Sequence, residues 1–313
     1  MKIRWYFLIT AILLFCSSAQ GAASPLRIHV SILPQKFFVQ QIAGDLARVS
    51  VLVAPGKSPA TYSPTPSQVK SLANSQVFFR IGVPFENGFI HKIHDLAREV
   101  RIVDTRRGID LLEMEEHDHA HHQGHGDHHE DEHHGEEHHD DHGDAEEDHA
   151  GADPHIWMDP LRVKQQADTI FKTLVELAPE HEAAFKANHA RFTAELDALH
   201  REISQVLAPC RGKKLFVFHP SFGYFTQAYG LEQVAVEQMG KAPKGKQLAR
   251  IIKWMKQEKA RMIFVQPQFD AHAAGKIAQA IQGGVVSVDP LSLSYMDNLK
   301  QMARTIAGHL CPQ

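Results

Sequence analysis

The chain has 313 residues, 43% hydrophobic and 22% charged, enough to bury one or two ordinary cores. That composition excludes a disordered chain, a collagen-like repeat and a disulfide-stapled mini-protein. Net charge is −4, yet 16 of the 37 acidic residues lie between Glu113 and Asp148, where there is no Lys or Arg. Elsewhere 33 basic residues face 21 acidic ones, so the body without Lys2 and Arg4 stands near +10. Its Lys and Arg are scattered and no nucleic-acid signature accompanies them, so no nucleic-acid partner is expected.

Lys2 and Arg4 precede a 12-residue apolar run (WYFLITAILLFC) and a small-residue stretch (SSAQGAAS). This is the layout of a secretory signal peptide, too short for a span of ~20 residues, and it predicts an exported, periplasmic protein with the leader at 1–23. Gly21 and Ala23 both fit a small-x-small cleavage site. Cys16 leaves with the leader. Cys210 and Cys311 then remain in an oxidising compartment, either as one disulfide closing ~100 residues, worth up to ~4–5 kcal/mol, or as two buried thiols.

Strands are expected over 27–33, 48–54, 76–81 and 100–104, with helices near 35–44, 66–73 and 85–98 between them. The rhythm returns with strands over 214–218, 233–237, 262–266 and 285–288, and helices near 222–229, 246–258, 271–281 and 294–309. Short β-branched runs alternating with helices predict α/β architecture, a parallel sheet flanked by helices on each side of the chain's middle. That middle, 161–208, contains no Gly and reads as helix with a restart at Pro179. Phe185, Phe192, Leu196, Leu199, Ile203 and Val206 form one apolar stripe on a helix of about 28 residues, roughly 40 Å long. It reads as a rigid strut packed against both lobes.

The first half ends in an unusual insert. His117, His119, His121, His122, His125, His128, His129, His133, His134, His138, His139, His142 and His149 are interleaved with Asp, Glu and Gly. With no apolar residue beyond alanine this stretch cannot bury a core and is expected to be a disordered loop, 113–150. Imidazole suits Zn, Cu and Ni, so several weak auxiliary sites for a transition metal, most plausibly zinc, are expected there.

A single tight site is sought beyond the carboxyl ends of the strands, where parallel sheets bind ligands. After the second predicted strand comes the stretch 55–62, and after the fourth, past the loop, His155 in Asp153-Pro154-His155-Ile156-Trp157. His219 follows the fifth strand and Asp289 the eighth. Two imidazoles and a carboxylate at such positions form a credible metal set, although each alone is more often a core histidine or a turn aspartate. Isolated His29, His91, His94, His181, His189, His200, His272 and His309 are read as surface or core residues.

The motifs Tyr62-Ser63-Pro64-Thr65-Pro66, Asp153-Pro154-His155-Ile156-Trp157-Met158-Asp159-Pro160 and Phe218-His219-Pro220-Ser221-Phe222-Gly223 resemble those of the zinc- and manganese-binding solute-binding proteins of ABC importers. The zinc-carrying, ZnuA-like branch is the most similar. The resemblance implies two α/β lobes joined by a long backbone helix, with metal held in the cleft and delivered to a membrane permease. The expected division is an N-terminal lobe over 24–178, the connecting helix over 179–208 and a C-terminal lobe over 209–313. His155, His219 and Asp289 match the second, third and fourth family ligands. At the first, a Pro-His-x-Tyr histidine, this chain has Pro59-Ala60-Thr61-Tyr62, and alanine cannot ligate. The fourth position is left to water, to a loop histidine or to another side chain.

The expected function is therefore high-affinity capture of Zn2+ by a monomer, without catalysis. Two imidazoles favour zinc over Mn2+ or Fe2+, while Asp289 pulls toward harder ions. A periplasmic zinc buffer or chaperone working through the loop is the alternative. An enzyme is disfavoured, since no His-Glu-x-x-His, Gly-x-Ser-x-Gly or P-loop motif occurs.

Overall fold

A computed structural model describes residues 24–114, 151–237, 243, 245–269 and 271–312. The expected leader and every histidine of the His-rich stretch lie outside the described residues.

In the first half, β1 (Leu26–Val30), β2 (Ala47–Val51), β3 (Val77–Arg80) and β4 (Arg101–Asp104) form one sheet in the order β2-β1-β3-β4, all pairs parallel. In the second, β5 (Lys214–Val217), β6 (Glu232–Ala235), β7 (Met262–Val265) and β8 (Gly284–Ser287) repeat that order as β6-β5-β7-β8, again parallel. The crossovers are α1 (Leu33–Ala43), α2 (Pro66–Leu72) and α3 (Phe85–Leu96) in the first half. Between them in chain order come α4 (Pro160–Leu177) and α5 (Glu182–Leu207), then α6 (Gly223–Tyr229), α7 (Gly245–Gln257), α8 (Ala271–Ala280) and the closing α9 (Tyr295–Leu310).

Local chemistry sets several boundaries. Pro34 occupies the first turn of α1, so the strand expected over 27–33 stops at Val30 and the helix begins at Leu33. Thr65 and Gln68 form a capping box at the start of α2, with Pro66 in its first turn. Asp159 caps α4 by accepting from Leu161 N. The restart at Pro179 is a 3-10 turn, Pro179–His181, and α5 then runs for 26 residues, about 39 Å. Its fully buried stripe is Phe185, Phe192, Leu196, Leu199, Ile203 and Leu207; Val206, expected in that stripe, is only partly buried because the spacing of four from Ile203 falls on Leu207.

Strand alternation divides the apolar residues among three clusters. The largest joins Val77 and Phe79 of the first sheet and Leu215 and Val217 of the second through Phe192 and Leu199 of α5. The opposite faces build separate cores: Phe78 with Phe89 and Ile93 in one half, Phe216 and Phe218 with Ile251 and Met255 in the other. α5 packs against α1, α4 and α9, so the strut and both sheets share one core. Cys210, just past α5, is disulfide-bonded to Cys311, just past α9, with Cα atoms 5.6 Å apart across a separation of 101 residues. The two cysteines thus staple the C-terminal helix to the strut. Among the described residues no helix is long and apolar enough to cross a membrane.

Candidate metal centre

The order β6-β5-β7-β8 places a topological switch between β5 and β7, whose crossovers leave in opposite directions and open a crevice at their carboxyl ends. His219 and Gln266 stand just beyond those two ends. Gln266 is fully buried. Its Nε2 donates to His219 O at 2.8 Å and to Ser221 Oγ at 2.8 Å, and its Oε1 accepts from His219 N at 3.3 Å. The His219 backbone is thereby held from the neighbouring strand. Its ring stacks on Phe269 with centroids 4.6 Å apart.

Pairing of β5 with β6 supplies the next partner. Val217 is registered with Ala235, and the ladder continues as Glu237 N donates to Phe218 O, which carries Glu237 to the side of His219. The Glu237 carboxylate, 2% exposed, accepts from His219 Nδ1. Burial lowers the His219 pKa from the usual imidazole value, and the bond to Glu237 opposes that shift.

His155 reaches the same place from the other sheet, at the end of the connection from β4. It precedes a 3-10 turn, Ile156–Met158, whose three residues are buried. That segment is fastened across to the second half: Trp157 Nε1 donates to Pro290 O at 2.8 Å, Tyr295 Oη to Trp157 O at 2.8 Å, and Tyr224 Oη to Asp153 O at 2.8 Å. Asp153, 3% exposed, accepts from His155 Nδ1 at 2.6 Å and from His155 N at 2.9 Å through the same Oδ1. The rings of His155 and His219 lie with centroids 5.3 Å apart at 76°.

The two expected histidines are brought together; the expected carboxylate is engaged by neighbours of its own. Asp289 Oδ1 accepts from Gln268 Nε2 at 2.8 Å and from Leu291 N at 3.0 Å. Among the described residues no set of three or more His, Cys, Asp or Glu side chains is gathered as a metal cage. Ala60 lies in the loop between β2 and α2, its N–H donating to Ser58 Oγ at 3.3 Å, and offers no side-chain donor to a metal. Of the remaining histidines, His29 is buried against Ser75 Oγ, His189 pairs with Asp168, and His200 packs on the ring of Tyr229.

Sequence reasoning missed Asp153, Glu237 and Gln266. Asp153 stood two residues before a candidate ligand, a visible signal. Glu237 and Gln266 needed strand order, because only the pairing of β5 with both β6 and β7 brings their strand ends to His219.

A protein-family model described as "Zinc-uptake complex component A periplasmic" matches residues 28–309. The chain is similar to the high-affinity zinc uptake system protein ZnuA of Paracoccus denitrificans, 31% identical over 332 residues that cover 98% of this chain and 99% of that one. It is also similar to the protein of the same name from Yersinia pestis, 29% identical over 288 residues, 88% of each chain. A crystal structure of ZnuA superposes with a TM-score of 0.78 at 35% identity, covering 91% of this chain and 99% of that one. The laminin-binding protein Lbp of Streptococcus pyogenes shares the fold, with a TM-score of 0.71 at 20% identity over 92% of this chain and 99% of that one. With nearly all of its described residues inside the family match, the chain belongs to the ZnuA family of periplasmic zinc-uptake components.

Proposed function

We propose that this protein is the zinc-capturing component of an ABC importer: an exported monomer that takes Zn2+ between its two sheets and hands it to a membrane permease without chemical turnover. The observation that carries the reading is the meeting of His155 and His219 from different halves of the chain, each with Nδ1 on a buried carboxylate and centroids 5.3 Å apart. Zn–N bonds of about 2.0–2.1 Å place a metal about 3.2 Å from each ring centroid, and that separation then subtends about 110°, close to tetrahedral.

Asp289, beyond β8 in the same sheet as His219, is the proposed third ligand. To coordinate, it exchanges its bond to Gln268 for the metal, at a cost of about 1 kcal/mol that a Zn–carboxylate contact exceeds. With Ala60 offering no donor, the fourth position is open to water, which favours exchange of the cargo over permanent retention. The two imidazoles favour Zn2+ over Mn2+, against the pull of the carboxylate toward harder ions.

Zinc calorimetry on three proteins tests this reading: the mature chain, the chain lacking 117–149, and that deletion with His219→Ala. One tight site that survives the deletion and disappears with His219 is expected. If the deletion alone removes all tight binding, the working part is the His-rich stretch and the protein acts as a zinc buffer.

A further inference from the structure

We infer that Asp153 and Glu237 are the positioning residues of the zinc site, each holding one imidazole by Nδ1 so that both rings present Nε2 to the same ion. The inference rests on the reading of His155 and His219 as ligands and assigns the residues that make them competent. A carboxylate only accepts, so the ring nitrogen that meets it is the one carrying hydrogen, and the lone pair is left on Nε2. Both carboxylates are among the most buried of the described residues, at 3% and 2% exposure, where a carboxylate is costly unless paired. Among the described residues, His219 is the sole side-chain partner of Glu237. Asp153 uses one oxygen for both the ring and the backbone N–H of His155, locking ring to main chain.

The surroundings make room for this arrangement. A Cβ at Gly223, the first residue of α6, would stand 2.8 Å from Asp153 Oδ2, so this helix starts with a residue that leaves the carboxylate its place. The second half provides Gly223 and the Tyr224 hydroxyl that binds Asp153 O, while the first half provides the histidine. With Ala60 offering no side-chain donor, the orientation and basicity of the two imidazoles count for more. Removal of such an outer carboxylate typically lowers metal affinity 10–100-fold.

The test uses the full mature chain as wild type, Glu237→Gln, Asp153→Asn, Gly223→Ala, His155→Ala and His219→Ala. Zinc affinity is measured by competition with a chromophoric chelator, and histidine tautomers in the metal-free protein by nitrogen-15 NMR. His155 and His219 are expected as Nδ1–H tautomers in the wild type. Glu237→Gln is expected to lose 10–100-fold in affinity and to release the His219 tautomer alone. Asp153→Asn should do the same to His155, and Gly223→Ala reaches His155 by a second route without altering a carboxylate. Full affinity in the carboxylate variants, or lost affinity with tautomers unchanged, overturns the positioning role while the ligand reading stands. Tight zinc binding that survives both His155→Ala and His219→Ala overturns the ligand reading, and the inference falls with it.

Discussion

Gln266→Ala is the sharpest probe of how the fold holds the site. The side chain is fully buried, and its three hydrogen bonds reach His219 N, His219 O and Ser221 Oγ. Alanine leaves all three without that partner, at about 1–3 kcal/mol for each group that water cannot reach. Because His219 is partly exposed, the lower end of that range applies to its two groups, and a total of about 3 kcal/mol is expected. For a chain of this size that is about 6 °C in Tm, and zinc affinity should fall about tenfold as the His219 backbone loosens. Gln266→Glu separates packing from bonding, since an ionised glutamate has the same shape but donates to neither His219 O nor Ser221 Oγ. Urea unfolding and zinc calorimetry on both variants give the answer. If glutamate is tolerated as well as glutamine, or alanine costs less than about 1 kcal/mol, the strand-end anchor described above is wrong.

Four further outcomes are expected. Burial lowers the pKa of His29 to about 4, so below pH 6.5 the unfolded chain binds a proton that the fold excludes. Stability of the metal-free protein should therefore be full above pH 6.5 and fall by about 2 kcal/mol toward pH 4.5, an increment absent in His29→Phe when urea midpoints are compared across pH. Burial also lowers the pKa of His219, so proton competition at this proposed ligand is shifted to the acid side of the ordinary imidazole range, and zinc titrations should show affinity lost on acidification. Cys311→Ser opens a loop of 101 residues and should destabilise by up to about 4–5 kcal/mol in denaturant, with zinc affinity unchanged. Phe192→Ala removes a fully buried ring whose centroid lies 5.9 Å from Phe37 and 6.0 Å from Phe38, at an expected cost of about 3–5 kcal/mol by urea unfolding.

Much of the architecture was legible because hydrophobic periodicity is a local property. The short apolar runs in Val77–Arg80 and Lys214–Val217, the stripe on α5 and the break at Pro179 each state their structure within a few residues. Boundaries drifted where a cap or a proline outweighed the pattern, as at Pro34, where the helix takes Leu33, which read as strand. His155 and His219 were nominated because ligands gather beyond strand ends in parallel sheets, and their rings do lie together. The same rule nominated Asp289, yet a strand end gives a neighbourhood and not a side-chain direction, and here the carboxylate is engaged by Gln268 and Leu291. Glu237 and Gln266 looked like ordinary polar residues closing two strands. Only the order β6-β5-β7 makes them the two flanks of His219.

That order also bears on how the protein releases what it holds. His155 belongs in sequence to the first half, but Trp157, Asp153 and Leu112 are hydrogen-bonded to Pro290, Tyr295 and Tyr224 of the second. Beneath them a single apolar core runs from Val77 through Phe192 to Val217 without a break. Swinging the two sheets apart would strip those bonds and open that core, at about 1.5–3 kcal/mol for each large apolar side chain exposed. A wide hinge is therefore disfavoured, and metal exchange falls to short-range changes at the rim. Asp289, proposed above as the third ligand, sits at that rim, where its Oδ1 accepts from Gln268 in the connection after β7. On the proposed reading the two histidines, each held by a buried carboxylate, are the fixed part of the site, since opening the sheets would break the bonds that place them.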